Sequence, residues 1–298
     1  MKKFIIHISI FSFILLVAIF FVLSQANGYS DSFYLKVSSP KQSNLILGTS
    51  KAAQGIQPQI LNRELKKQFF NYAFAIYASP YGEVYLNSIK DKLDTTSKDN
   101  IFILTIDVWS ISSATEDPND SMNFRENKSF LGKGINVNSS PNFKYLFTSF
   151  ENKYINILLH DTVTYLHDDG WLEVSLNEGE ENVKRRTNFT INSYREKIDQ
   201  YHYSDVRYSY LLRTIDFLNK YGKVYLVRLP VHPGLMEVET EIIPNFNTLI
   251  ESAIKVSEDY FDLTVYNQDF EYTDGVHLNK SSGEIVSTII AKKINTTE

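Results

Sequence analysis

Three side chains have the types and spacing for nucleophilic acyl chemistry. In "SNLILGTSKAAQGI" (Ser43 to Ile56) the apolar run Leu45-Ile46-Leu47 stops at Gly48-Thr49 and delivers Ser50 into a turn, with helix formers following at once. Taken alone, such a serine reads as an N-cap that satisfies orphan backbone N–H groups. In "YTDGVHLNKSSG" (Tyr272 to Gly283) Asp274 and His277 stand three residues apart. An imidazole acting as general base needs a fixed tautomer. A carboxylate bonded to its second nitrogen supplies that and stabilises the imidazolium. Taken alone, this pair reads as an Asp-Gly turn with an exposed histidine. Neither segment is specific. Brought to one rim, they make a nucleophile with its base and the acid that orients it.

The elements between them are of the kind that would do this. Short apolar or β-prone runs begin near residues 44, 69, 101, 223 and 261 and alternate with helical patterns. That alternation predicts a mostly parallel sheet with helices on both faces, whose ligands bind beyond the carboxyl ends of the strands. Strands are expected at Asn44–Leu47, Phe69–Phe74, "NIFILTIDVW", "KVYLVRLP" and "FDLTVYN". Helices are expected at "LNRELKKQ", "EVYLNSIKDKL", "FKYLFTSFENKYINILLHDTV" and "NFNTLIESAIKVSEDY". A further helix starts at a Ser204 cap, turns Tyr208, Leu211, Leu212, Ile215 and Leu218 to one side and stops at Gly222 as C′. The final helix, "SSGEIVSTIIAKKI", points Ile285, Ile289 and Ile290 inward. Ser50 follows the first strand directly, and the Asp274–His277 loop follows the last. Residues 110–200 are polar and turn-rich, with a short strand or hairpin at "DDGWLEVSLNEGEEN", and read as an insertion.

Phe4 to Leu23 carries no Asp, Glu, Lys or Arg and follows Met1-Lys2-Lys3. About 20 such residues cross a bilayer as a helix, and the lysines keep the N-terminus in the cytoplasm. Residues 1–24 are therefore expected to be a membrane anchor, 25–42 a polar connector and 43–298 an extracytoplasmic domain on a bacterial cytoplasmic membrane. The alternative is a signal peptide cleaved near Ala26, at Ser24-Gln25-Ala26. The chain has no cysteine, which excludes disulfides, thiolate metal sites and a cysteine nucleophile. A net charge of −5 gives no electrostatic footprint for nucleic acid. His160, His167, Asp168 and Asp169 match no metal-ligand spacing and read as exposed loop. Glu178, Glu180 and Glu181 read as a solvated loop, and His232, between Pro230 and Pro233, as part of a rigid loop at the cleft rim.

A Gly-x-Ser block at the end of the first strand, with Asp-x-x-His-Leu before the final helix, resembles the SGNH (GDSL-type) hydrolases. The resemblance covers about residues 43–295 and implies a three-layer α/β/α domain with a flavodoxin-like parallel sheet. It further implies Ser50 as nucleophile, His277 as base and Asp274 as orienting acid, with no metal or organic cofactor. The Gly-x-Ser-x-Gly elbow of α/β-hydrolases is not present, since Gly48-Thr49-Ser50-Lys51-Ala52 stands there. The second family block has its asparagine, Asn71, but no glycine. The third has Asp107-Val108-Trp109-Ser110 and no asparagine. The candidates for the oxyanion hole are therefore Ser50, a main-chain N–H at Ala75 or Ile76, the Trp109 indole N–H and the Ser110 hydroxyl, with Asp107 pointing elsewhere. Anchored members of this group often add or remove acetyl groups on surface polysaccharide. The expected substrate is accordingly an acylated carbohydrate or another acyl ester, with a membrane acyltransferase as a partner. The alternatives are a lipid esterase and a catalytically inactive, membrane-tethered glycan-binding protein.

Overall fold

The computed structural model describes residues 1–135, 138–160 and 163–297. Nine strands occur among them: β1 (Asn44–Leu47), β2 (Phe69–Asn71), β3 (Asn100–Thr105), β4 (Ser112–Ser113), β5 (Thr164–Leu166), β6 (Leu172–Val174), β7 (His202–Tyr203), β8 (Gly222–Arg228) and β9 (Asp259–Asp262). Five of them form one sheet in the order β2-β1-β3-β8-β9, every neighbour parallel. Counted within that sheet the order is 2-1-3-4-5, that of flavodoxin-like doubly wound sheets. β4 pairs antiparallel with β7, and β5 with β6, as two small ribbons.

The helices are α1 (Lys2–Leu23), α2 (Tyr34–Ser38), α3 (Ser50–Gly55), α4 (Pro58–Leu65), α5 (Glu83–Lys92), α6 (Phe143–Thr148), α7 (Glu180–Arg195), α8 (Asp205–Leu218), α9 (Pro233–Ile242), α10 (Phe246–Leu249), α11 (Glu251–Val256) and α12 (Lys280–Thr297). The period-two alternation of side chains along each strand splits the core in two. Leu45, Leu47, Phe102, Leu104 and Leu226 pack with Tyr85, Ile89, Leu211 and Ile215 of α5 and α8. Ile46, Ile101, Ile103, Tyr225 and Val227 pack with Ala52, Leu61, Val286 and Ile290 of α3, α4 and α12. Both faces are covered, which is why β1 and β3 read as unbroken apolar runs.

The chain turn that delivers Ser50 depends on Gly48. Its φ is +139°, and a Cβ there would lie 1.9 Å from Thr105 Oγ1 on β3. Only glycine fits both constraints. Its peptide groups are satisfied: the N–H donates to Tyr85 Oη (3.0 Å), and the carbonyl accepts from Ser79 Oγ (2.7 Å). Asn71 joins this turn to β2. Its side-chain nitrogen donates to the carbonyls of Ala52 (2.8 Å) and Ile56 (2.9 Å), and its oxygen accepts from the Ala73 N–H (3.2 Å).

Several elements differ from the sequence reading. The Phe69–Phe74 run is strand only to Asn71, although the Tyr72 and Phe74 N–H groups still bond β1-side carbonyls. "NIFILTIDVW" stops at Thr105 because Asp107 turns the chain into a 3₁₀ turn at Trp109–Ile111. The helix expected over 143–163 is only α6 plus a 3₁₀ turn at Tyr154–Ile157, with residues 161 and 162 outside the described residues. "NFNTLIESAIKVSEDY" is two short helices that break at Ile250, and the last strand lies two residues earlier than expected, with Leu263 leading into a 3₁₀ turn. Gly222 is no C′ residue. α8 ends at Leu218 with Asn219 as cap, and Gly222 opens β8, where a Cβ would meet the Asn100 carbonyl at 2.1 Å. Ile285 of α12 is exposed, because the face toward α3 and α4 is set by Val286, Ile290 and Ile294. Glu180 and Glu181 form the first turn of α7 rather than a loop.

Residues 25–42, expected as a connector, are built into the domain. Tyr34, Lys36, Val37 and Ser38 are buried. The Lys36 ammonium donates to the Ala73 carbonyl and to Asn71 Oδ1, and desolvation pulls its pKa well down despite the charge of Asp169. The insertion is equally integrated: Arg207 of α8 holds Glu126 through two bonds of 2.8 and 3.1 Å, both side chains buried. Gly48→Ala is expected to lower the unfolding free energy by at least about 2 kcal/mol, read as a shift in the urea midpoint. An unchanged midpoint would show that the β1–β3 approach does not require glycine.

Candidate active site

Strand order reverses at the β1/β3 boundary, and in open parallel sheets ligands bind outside the carboxyl ends of the strands at such a point. Ser50 sits there as the first residue of α3. The loop after β9 brings His277 to the same edge. Ser50 Oγ and His277 Nε2 are 2.9 Å apart, and His277 Nδ1 and Asp274 Oδ2 are 2.8 Å apart. The second Asp274 oxygen accepts the main-chain N–H groups of Val276 (3.0 Å) and His277 (2.9 Å).

Burial pushes the Asp274 carboxyl up, but the hydrogen bond and charge of His277 and the two main-chain donors outweigh it and hold the pKa at about 2. Asp274 is therefore a carboxylate that only accepts, which places the imidazole proton on Nδ1 and leaves Nε2 to accept from the serine hydroxyl. The loop itself is held from two sides. Gly275 has φ +88°, its carbonyl accepts the His232 N–H (2.9 Å), and the Thr273 carbonyl accepts Arg186 Nε of α7 (2.9 Å). His232 caps α9, its Nδ1 accepting the Gly234 N–H at 3.1 Å. His167 pairs with Glu173 at 2.8 Å and takes no part in the site.

A cavity of about 330 Å³ opens beside Ser50, walled by Ala75, Tyr77 and Leu172, by Phe33 of the former connector, and by Glu151 and Asn152 of the insertion. Among the described residues, the Ser50 and Ala75 N–H groups have no protein acceptor. Two main-chain donors at the mouth of such a cavity suit an oxyanion. Ile76 is not part of the cavity wall; its side chain packs with the Trp109 cluster.

Trp109 and Ser110 do not serve as donors here. The indole N–H is bound to Glu239 Oε1 at 3.0 Å. The Ser110 hydroxyl donates to the Asp107 carbonyl (2.8 Å) and accepts the Asp107 N–H (3.0 Å), and the Ser110 N–H donates to Asp107 Oδ1 (2.8 Å), closing a small internal ring. Asp107 does point elsewhere, towards Lys51.

That lysine belongs to a cluster that sequence reasoning missed. Lys51 Nζ lies 2.6 Å from Glu239 Oε1 and 3.1 Å from Asp107 Oδ2, and Arg228 Nη2 lies 3.4 Å from Glu239 Oε2. All four side chains are buried. Desolvation pulls Lys51 down, but the two carboxylates more than offset it and raise its pKa. The cluster joins the residue after Ser50 to the ends of β3 and β8 and to α9. One signal was legible: Glu239 falls on the apolar stripe of α9, beside Leu235 and Val238.

No protein-family model matches this chain, and no curated protein matches it.

Asp274→Asn is expected to lower kcat/KM for any ester substrate by about 10²–10⁴, because the amide favours the wrong tautomer. Since Asp274 stays ionised down to about pH 2, its own protonation is expected to add no step to the acid limb of the pH–rate profile above that pH. A step in that limb that Asp274→Asn removes would show the carboxyl titrating within the working range. The depressed pKa of Asp274 also has a sign for stability: its contribution is present above the ordinary carboxylate range and is lost as the pH falls through about 2. Glu239→Ala would leave Arg228 and the Trp109 N–H buried without their carboxylate and Lys51 with Asp107 alone. An unfolding free energy lower by about 3–5 kcal/mol is expected, and a loss below about 1 kcal/mol would mean that the cluster repacks.

Proposed function

We propose that this protein is a serine-dependent acyl-ester hydrolase or O-acyltransferase of the SGNH type, working outside the membrane that α1 crosses. The observation that carries the reading is the unbroken chain of hydrogen bonds from Asp274 through His277 to Ser50, opening on a cavity with two main-chain donors. As the Ser50 oxygen attacks the acyl carbonyl, Nε2 takes its proton. The carbonyl oxygen gains the negative charge, for which the Ser50 and Ala75 N–H groups are positioned donors. Collapse of the adduct breaks the ester bond, and the imidazolium returns the proton to the leaving alcohol. The acyl-enzyme then passes its group to water or to a sugar hydroxyl by the same steps.

The flavodoxin-like strand order and the positions of Ser50 and the Asp274–His277 loop support the family assignment. The membrane reading is supported by α1, which is 22 residues long and carries no Asp, Glu, Lys or Arg after Lys3. An acylated surface polysaccharide remains the preferred substrate, by resemblance. A second reading, a tethered protein without catalysis, draws on the engagement of Trp109 and Ser110 elsewhere, which leaves only main-chain donors.

A serine-reactive fluorophosphonate distinguishes the two. The folded full-length protein is expected to label at one site, with labelling abolished in Ser50→Ala and reduced at least about 100-fold in rate in His277→Ala. Folded wild-type protein that does not label would overturn the catalytic reading.

A further inference from the structure

The insertion carries an exposed apolar patch that the chemistry at Ser50 does not use. Among the described residues outside α1, Phe147, Tyr154, Ile155, Leu158, Leu159 and Val163 are all exposed, within 17 residues of chain. Spread singly, such side chains are ordinary; gathered together they mark an interaction surface. Their neighbours say what covers them. Phe143 packs on Phe20 of α1 (ring centroids 5.0 Å apart) and stacks on Phe147 (6.4 Å). Phe150 stacks on Tyr154, whose hydroxyl donates to the Leu146 carbonyl. Asn152 Nδ2 donates to the Ser30 carbonyl (2.9 Å), and His160 stacks on Tyr29. The segment therefore packs beside the foot of α1, touching it at residue 20 and touching the chain that follows it at residues 29 and 30.

The depths agree. A helix of 22 residues is about 33 Å long, against a hydrocarbon core of about 30 Å. Phe20 lies three residues before Leu23, so its contact with Phe143 sits about 4.5 Å inside the end of the helix. That is the level where aromatic side chains settle in a bilayer. Exposed Lys144 and Lys153 flank the patch, opposed by exposed Glu151, a balance that suits phospholipid headgroups.

We propose that residues 143–159 form a collar seated in the phospholipid leaflet from which α1 emerges, so that the Ser50 cavity is held at the membrane surface. The inference rests on the reading of α1 as a membrane span. Glu151 and Asn152, inside the collar, also wall the cavity, as does Phe33, ten residues past the end of α1. Ester substrates presented at headgroup level are then within reach, and those far from the bilayer are not.

The absence of native cysteine makes the test direct. Single cysteines replace Phe147, Ile155, Leu159, Phe13, Met122 or Val265 in the full-length chain and carry an environment-sensitive fluorophore. Each variant, checked for fold by circular dichroism, is placed in nanodiscs of phosphatidylethanolamine and phosphatidylglycerol with or without doxyl-labelled lipid. Quenching at 147, 155 and 159 is expected to approach that at 13, mid-helix, and to exceed by at least threefold that at 122 and 265, which are exposed elsewhere. Quenching at 13 with none at the collar positions would overturn the collar and leave the span intact. No quenching at 13 would overturn both. Collar fluorescence that shifts with the number of copies per disc, without quenching, would assign the patch to a second copy of the chain and overturn the proposal.

Discussion

A single hydrogen bond of 2.9 Å, between a hydroxyl and an imidazole 227 residues apart in the chain, is the contact on which the rest of the site depends. Parallel strands make it possible. In a parallel sheet every strand ends at the same edge, so the turn after β1 and the loop after β9 face one another although they lie at opposite ends of the domain sequence. The surrounding structure then narrows the remaining freedom. Gly48 sets the direction in which Ser50 leaves its strand. The Asp274 carboxylate, fixed by two main-chain donors, sets the tautomer and plane of the ring.

Beneath this arrangement lies a buried set of charges, Lys51, Asp107, Arg228 and Glu239, formally neutral as a group. Burying charge is unfavourable unless partners replace the lost water. Here each ion pair joins different elements, so any shift of α3 against β3 or α9 would separate charges in a medium of low dielectric. The cluster thus acts on Ser50 through position. It also takes up Trp109, and with it one of the side-chain donors that the sequence offered to an oxyanion.

The segments that look like accessories in the sequence are structural parts of the site. The stretch after α1 contributes a fully buried lysine beneath the Asn71–Ala75 strand end and one wall of the cavity. The insertion supplies Glu151, Asn152 and Leu172 to the cavity, and Arg186 of α7 to the loop that carries Asp274 and His277. Polar helices such as α7 are hard to recognise from pattern alone. It is held by Arg186 donating to the Thr273 carbonyl and by Ile191 and Tyr194 packing on the small cluster around Trp109 and Leu235, rather than by a continuous apolar core.

The strands, most helices and the three residues that meet at the sheet edge, Ser50, Asp274 and His277, were legible in the sequence, because burial on both faces of a parallel sheet leaves unbroken apolar runs and because a glycine must stand where the chain turns out of β1. The engagement of Trp109 and Ser110, the charge cluster around Lys51 and Glu239, and the incorporation of residues 25–42 were not. Apart from Ser110, which closes on Asp107 three residues away, these rest on pairings between polar groups far apart in the chain, and residue type says that such a group needs a partner without saying which one. Local pattern determined which segments form the sheet and its edge. Tertiary packing decided which donors remain free at that edge, since a hydrogen bond made inside the fold is no longer available to a substrate.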